Sequence, residues 1–282
     1  AQHASGRNSG VLHAGFYYAP DTLKAQLTRD GNAMLREFCS EAGIKVKNPG
    51  KVVVTTSEEQ LPALNTLHER GVANGVELER IDELQLRELE PLARTVSAAL
   101  WSPTTGVANP AEVVAALAQR VQDRGGEIQL GARVVSAKPG SITLKTGDVI
   151  SCGHLINAAG LYADTVAHWF GVGLDYRMLP FKGLYWYGNW PVDTLQRHIY
   201  PVPDSRNPFL GVHLTVTVNG RAKIGPTAIP SLWREDYGVV SGFNARELGG
   251  VARTFPRFLA SKEHDVLGLI RTELPKYSQK HL

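Results

Sequence analysis

The residues best placed to do chemistry lie at the start of the chain, in the run His3-Ala4-Ser5-Gly6-Arg7-Asn8-Ser9-Gly10-Val11-Leu12-His13-Ala14-Gly15. The run is too glycine-rich for a helix interior and too polar for a buried strand. Gly6, Gly10 and Gly15 let the backbone bend and approach another body closely, while Ser5, Arg7, Asn8, Ser9 and His13 supply donors between them. Donors ahead of an apolar run suit a phosphate. An ordinary polar turn has the same composition, so the residues alone leave both readings open. Two histidines stand out as candidate proton acceptors, since imidazole is the side chain poised near neutral pH. His13 follows the loop directly, and His213 lies in a strand-like stretch.

Other chemistries fail on inspection. Gly6-Arg7-Asn8-Ser9-Gly10 is not a G-x-S-x-G nucleophile turn. Gly220 to Gly225 is followed by Pro226-Thr227 and is no phosphate-binding P-loop. Metal-ligand spacing is absent, so no metal is expected. The only cysteines, Cys39 and Cys152, form no disulfide framework and point to a reducing compartment. The formal net charge of +3, with both signs interspersed, argues against nucleic acid; the mild excess suits an anionic substrate or a membrane surface. No apolar run reaches membrane-spanning length.

The elements that must position these residues read as follows. Pro20-Asp21 precedes a helix whose Leu23, Leu27, Met34, Leu35 and Phe38 fall on one face, ending at Gly43. Lys51 to Thr56 reads as a strand. Ser57 to Gln60 is a capping box for a second helix ending near Gly71 or Gly75. A short helix spans Glu83 to Leu89, and Ala98 to Trp101 is a strand. Asn109-Pro110-Ala111-Glu112 starts a helix with Val113, Val114, Leu117, Ala118 and Val121 on its apolar face. Short strands at Glu127 to Leu130, Arg133 to Ala137, Ser141 to Thr146 and Asp148 to Ser151 form a small β-meander. His154 to Asn157 is a further strand leading through Ala158-Ala159-Gly160 into a helix through Phe170. Leu179 to Tyr187, His198 to Val202, Gly211 to Val218 and Arg221 to Ile224 suggest a largely antiparallel sheet with a hairpin turn at Asn219-Gly220. Asn244 to Leu259 is loosely helical.

The opening run resembles the flavin-contacting segment of the L-2-hydroxyglutarate dehydrogenase/oxidase family, FAD enzymes of the D-amino-acid oxidase superfamily. The resemblance continues in order through Gly50 to Val54, Asn157 to Asp164, Pro180 to Gly183, Ile199 to Asp204, Phe209 to Thr215, Gly225 to Ala228 and Arg234 to Tyr237. It implies an α/β (mixed α+β) chain, with part of an FAD-binding Rossmann-like domain carrying the β-meander and a mixed, largely antiparallel substrate-domain sheet. It divides the chain into FAD-binding parts at 1–48 and 109–173 and substrate-domain parts at 49–108 and 174–282. The cofactor is FAD, contacted by His3, Ser5, Gly6, Arg7, Asn8, Ser9, Gly10, Val134, Ala159 and Gly160. The substrate is a small dicarboxylate. Cations and hydroxyls for it are Arg7, Lys182 and Arg234 with Tyr17, Tyr18 and Tyr200; Lys182 stands where relatives are expected to carry arginine. The implied reaction takes L-2-hydroxyglutarate to 2-oxoglutarate with His13 or His213 as base, and a quinone or oxygen as final acceptor. The implied location is cytoplasmic, with room for a peripheral seat on the inner face of a membrane. An amine-oxidising relative of glycine or sarcosine oxidase type shares the same features. The expected G-x-G-x-x-G turn is absent, so the sequence is read as an internal fragment, and a cofactor-free remnant is the third reading.

Overall fold

A computed structural model describes residues 2–204, 211–238, 242–260, 268, 271 and 275. In chain order the elements are β1 (Val11–Leu12), α1 (Leu23–Glu41), β2 (Val46–Lys47), β3 (Lys51–Val54), α2 (Leu61–Ala73), β4 (Glu79–Ile81), α3 (Glu83–Leu89), β5 (Ala99–Ser102), β6 (Gly106–Ala108), α4 (Pro110–Asp123), β7 (Val134–Lys138), β8 (Ser141–Leu144), β9 (Val149–Ser151), α5 (Ala163–Trp169), β10 (Phe181–Lys182), β11 (Trp186–Tyr187), β12 (His198–Pro201), β13 (His213–Val216), β14 (Ala222–Gly225), β15 (Ile229–Pro230) and α6 (Ala245–Leu259). They fall into two compact units, one of residues 1–117, 183–228 and 268–282, the other of 118–182 and 229–267. These units divide the chain at other points than the expected functional domains. The opening segment shares a unit with the seven-stranded sheet because β1 pairs with β6 and Phe16 is buried in that unit's core.

The first unit is built on a sheet in the order β11-β14-β13-β12-β3-β5-β4. Every neighbouring pair is antiparallel except β12 with β3, so the expected largely antiparallel sheet is observed with one parallel join. Side chains alternate across a strand. On β3, Val53 faces a core of Phe16, Leu64, Leu67, Leu78 and Tyr200, which α2 covers. Val52 and Val54 face the opposite core with Ile81, Leu86 and Ala99, which α3 covers. The Asp82 carboxylate accepts from Gln85 N and the Gln85 side chain accepts from Asp82 N, closing a capping box on α3.

The second unit contains the expected meander, β7-β8-β9, all antiparallel. It also holds α5, the antiparallel pair β10–β15, and α6. The division between the units runs through α4.

Several expectations are corrected. Leu23, Leu27 and Met34 are exposed; of the expected face Phe38 is buried, and α1 also buries Ala25 and Cys39. The apolar face of α4 buries nothing fully. Ser57 does not cap its helix; residues Glu58–Gln60 form a 3₁₀ turn, and Gln60 Oε1 accepts from Thr56 N. Neither 127–130 nor 154–157 forms a strand, and Leu130 and Ile156 are 91% and 87% exposed. Periodicity marks a face or strand fit for burial but does not fix what packs against it. Of the quoted motifs, Phe209 and Leu210 lie outside the described residues.

Candidate functional site

The register of the large sheet collects polar side chains on one face. Lys51 stands opposite His198 on the neighbouring strand. The Ile199–Leu214 pairing sets His198 against Thr215 and Tyr200 against His213. Thr215 in turn pairs with Lys223. A row Lys51–His198–Thr215–Lys223 therefore crosses four strands, and all four residues are buried. Beside it, the Tyr200 and His213 rings stack 3.7 Å apart, and His13 meets Tyr200 edge-on at 6.3 Å. The structure thus brings His13, Tyr17, Tyr200 and His213 to one place.

The opening segment is clamped over this face by side-chain amides. Asn32 Nδ2 of α1 donates to Leu12 O and His13 O at 2.8 and 3.0 Å. Asn74 Nδ2, just past α2, donates to Gly15 O and Tyr18 O at 3.1 and 3.0 Å. Arg70 Nη1 donates to Tyr17 O at 3.2 Å. Lys223 Nζ donates to Ser9 O at 3.0 Å. Gly10 sits at φ +76°, and a Cβ there would lie 2.2 Å from Ala108 O. Only glycine satisfies both the left-handed backbone and the close approach.

Hydrogen bonds fix the imidazole tautomers. His213 Nδ1 lies 2.9 Å from Gly211 O, and a carbonyl only accepts, so Nδ1 carries the proton and Nε2 keeps its lone pair. His198 Nδ1 accepts from Val216 N at 3.1 Å, so its proton is on Nε2, which is buried without a partner. Burial, reinforced by the positive charges of Lys51 and its neighbours, drives the histidines neutral: His13 falls to about 3 and His213 to about 4. Burial likewise lowers Lys223 to about 8.

Lys51 is 0% exposed and its Nζ has no hydrogen-bond partner. It lies 4.4 Å from the ring centres of Phe16 and Tyr17 and 4.9 Å from that of Tyr200. Burial presses its charge toward the neutral amine.

Other sequence candidates have different surroundings. Within the opening loop, Asn8 Nδ2 donates to Ala4 O and Ser5 O and its Oδ1 accepts from Gly10 N. Arg7 Nε donates to Gln2 O. His3, Ser5, Arg7 and Asn8 are exposed. In the second unit, Val134 lies on the edge strand of the meander, and Ala159 and Gly160 are exposed, with Gly160 at φ +54° and open space where a Cβ would stand. Arg234 forks onto Asp164, Nη1 to Oδ1 at 2.5 Å and Nη2 to Oδ2 at 2.9 Å, and also donates to Leu161 O. Burial opposes the Asp164 charge, but the Arg234 hydrogen bonds prevail and hold it at about 2. Lys182 pairs with Asp236 at 2.9 Å. Both cations are thus committed to carboxylates. Sequence reasoning missed Lys51, His198 and Lys223 as site residues; the period-2 spacing of His198-x-Tyr200 and His213-x-Thr215 was the available signal. Among the described residues no group of His, Cys, Asp and Glu could hold a metal.

The model of the family described as "FAD dependent oxidoreductase" (DAO) matches residues 1–274. The chain belongs to this FAD-dependent oxidoreductase family. Among its relatives, it is 39% identical over 242 residues to an L-2-hydroxyglutarate dehydrogenase of Escherichia coli O17:K52:H18, covering 84% of this chain and 57% of that protein. It is 36% identical over 254 residues to the mitochondrial L-2-hydroxyglutarate dehydrogenase of Homo sapiens, covering 84% and 55%. The chain thus spans rather more than half the length of these relatives. Glycine oxidase of Geobacillus kaustophilus shares the fold with a TM-score of 0.70 at 20% identity, covering 88% of this chain and 67% of that one. L-α-glycerophosphate oxidase of Mycoplasma pneumoniae does so with 0.69 at 20%, covering 89% and 67%.

The donor set suits the family's cofactor. Residues 2–20 contain a guanidinium, two imidazoles, two amides and hydroxyls but no carboxylate, the first acid being Asp21. That chemistry fits a dianionic diphosphate linker. The buried, unpartnered Tyr17 OH and His198 Nε2 show that the sheet face is also richer in polar atoms than the protein itself satisfies. Among the described residues no helix is long and apolar enough to cross a membrane.

Proposed function

We propose that this chain belongs to an FAD-dependent enzyme that oxidises a 2-hydroxy acid, L-2-hydroxyglutarate, to the 2-oxo acid. One observation carries the reading: a neutral imidazole, His213, has its Nδ1 proton tied to Gly211 O and its Nε2 free to accept, on a sheet face with no carboxylate in the row. A hydroxyl proton goes to such a lone pair; an anionic substrate is drawn to a cationic face. Bound FAD supplies the acceptor for the hydride that leaves C2. His213 accepts the hydroxyl proton, and Tyr200, stacked on it, holds the ring's orientation. His13 is the second candidate base, its neutral form favoured in the same way.

The cofactor contacts assigned in this proposal, within the first unit, are His3, Ser5, Gly6, Arg7, Asn8, Ser9 and Gly10. Tyr17 and Tyr200 supply hydroxyls to the substrate. Lys182 and Arg234, paired with Asp236 and Asp164 in the second unit, are not assigned to the substrate. The similarity to L-2-hydroxyglutarate dehydrogenases supports the choice of hydroxy acid. A quinone or oxygen as acceptor and a peripheral membrane seat rest on the resemblance alone.

The test is anaerobic reduction of the FAD-loaded protein. Loss of the visible flavin band with L-2-hydroxyglutarate, and none with glycine or sarcosine, is the expected result. Reduction by the amines alone rejects the reading.

A further inference from the structure

A 2-hydroxy acid needs a cation for the carboxylate beside its reacting carbon, and the cations described above differ in how far they are committed. Lys182 and Arg234 are paired with Asp236 and Asp164. Lys51 lies fully buried at the end of the polar row, with only rings around its Nζ. Arg7 is exposed and donates to Gln2 O. Lys223 is different. Its Nζ donates to Ser9 O at 3.0 Å and lies 4.7 Å from the centre of the Tyr185 ring. Neither partner is a carboxylate. An ammonium has three N–H donors, and the Ser9 carbonyl takes one. Lys223 is 5% exposed, less sealed than Lys51, and at about 8 it is still mostly an ammonium at pH 7.

The register of β13 and β14 sets where that ammonium stands. His213 pairs with Gly225, and Thr215 pairs with Lys223. Residues two apart on a strand share a face, so Lys223 lies on the diagonal from His213. Such diagonal neighbours are about 7–8 Å apart, within reach of a long side chain. A 2-hydroxy acid carries its hydroxyl and one carboxylate on adjacent carbons. With each group about 3 Å from its protein partner, an imidazole and an ammonium on this diagonal hold both at once. We propose, resting on the reading above for the place of the reacting carbon, that Lys223 is the substrate's anchor: its remaining N–H groups bind the carboxylate next to the carbon whose hydroxyl proton His213 takes. One ammonium then fixes both the opening loop, through Ser9 O, and the reacting end of the substrate. The anchor reads the carboxylate that every 2-hydroxy acid shares, not the length of the chain behind it.

The test uses Lys223→Gln in the FAD-loaded protein, which keeps an N–H for Ser9 O and removes the charge. The ligands are 2-oxoglutarate and its 1-amide, which is neutral at the end in question. Calorimetric titration gives Kd for each. A hydrogen bond to a charged group strengthens binding by about 10–100-fold, so wild type should prefer the carboxylate by that factor and K223Q should bind the two alike. KM for L-2-hydroxyglutarate should rise by the same factor in K223Q, with kcat within a few-fold of wild type. Damage to the loop alone weakens both ligands equally and leaves the preference intact, so a K223Q protein that keeps the preference overturns the proposal. Should K223Q not fold, ¹⁵N NMR of Lys223 in wild type decides. An anion beside the ammonium raises its pKa, so an upward shift with 2-oxoglutarate and none with the 1-amide supports the proposal, and no shift with either overturns it. Glycine and sarcosine carry the same carboxylate. A protein that oxidises only these, with KM raised in K223Q, keeps this inference and loses the substrate reading. Oxidation of the hydroxy acid with KM unmoved in K223Q does the reverse.

Discussion

Replacing Gly10 by alanine tests how the opening segment is held over the sheet. The backbone there sits at φ +76°, and the added methyl would lie 2.2 Å from Ala108 O and 3.3 Å from Pro110 Cδ. A non-glycine residue in the left-handed region costs about 1–2 kcal/mol. The nearest atom is a backbone oxygen, so relief requires moving β6 or the loop. That stretches the 3.0 Å bond from Ala108 N to Gly10 O, and overpacking of this kind costs about 1–3 kcal/mol. Together the two effects amount to about 2–5 kcal/mol. At roughly 2–4 °C per kcal/mol for a chain of this size, thermal unfolding should fall by about 4–20 °C. Hydrogen exchange locates the damage: the Ala108 amide should lose protection while the Val53 amide on β3 keeps it. A G10A protein as stable as wild type, with Ala108 still protected, would refute the argued close approach.

Two further outcomes follow from the same geometry. Gly31 lies inside α1 with open space where a Cβ would stand, so Gly31→Ala should stabilise by about 0.5–1 kcal/mol in urea titrations, the opposite sign to G10A. His13 and His213 are neutral when folded, with pKa values near 3 and 4, against about 6.5 when unfolded. The unfolded chain therefore binds more protons between those values. Stability should be full above about pH 6.5, fall as pH drops toward 4 by up to about 1.4 kcal/mol per pH unit for each histidine, and level off below about 3. Urea midpoints measured from pH 7 to pH 4 check this, and a flat profile would contradict the burial of neutral imidazoles.

Local signals in the sequence were faithful where the chemistry is local. The Glu83 helix, the Asn109-Pro110 start of α4, the three later strands of the meander and the Asn219-Gly220 hairpin formed as expected. In the hairpin, Gly220 takes φ +78° and Gly220 N donates to Thr217 O. Long-range pairing left no such trace. The parallel join of β12 to β3 unites His198 with Lys51 across 147 residues, and only that register shows the two to be neighbours. A lysine opening a β-branched run reads as a solvated strand end, which hid the most buried cation of the site. Asn32 and Asn74 were equally silent, because a helix amide that reaches a distant carbonyl has the same sequence signature as a surface one. The exposed Leu23, Leu27 and Met34 on α1 show the converse: periodicity names an apolar face without saying what lies against it.

The central claim is that His213, on this polar sheet face, takes the proton of a 2-hydroxy acid. The direct measurement is the rate of flavin reduction by L-2-hydroxyglutarate in the FAD-loaded protein, wild type against His213→Gln. Loss of a positioned base should slow reduction by about 10²–10⁴-fold at pH 7, with the protein still folded and loaded. Unchanged reduction in H213Q would contradict the account.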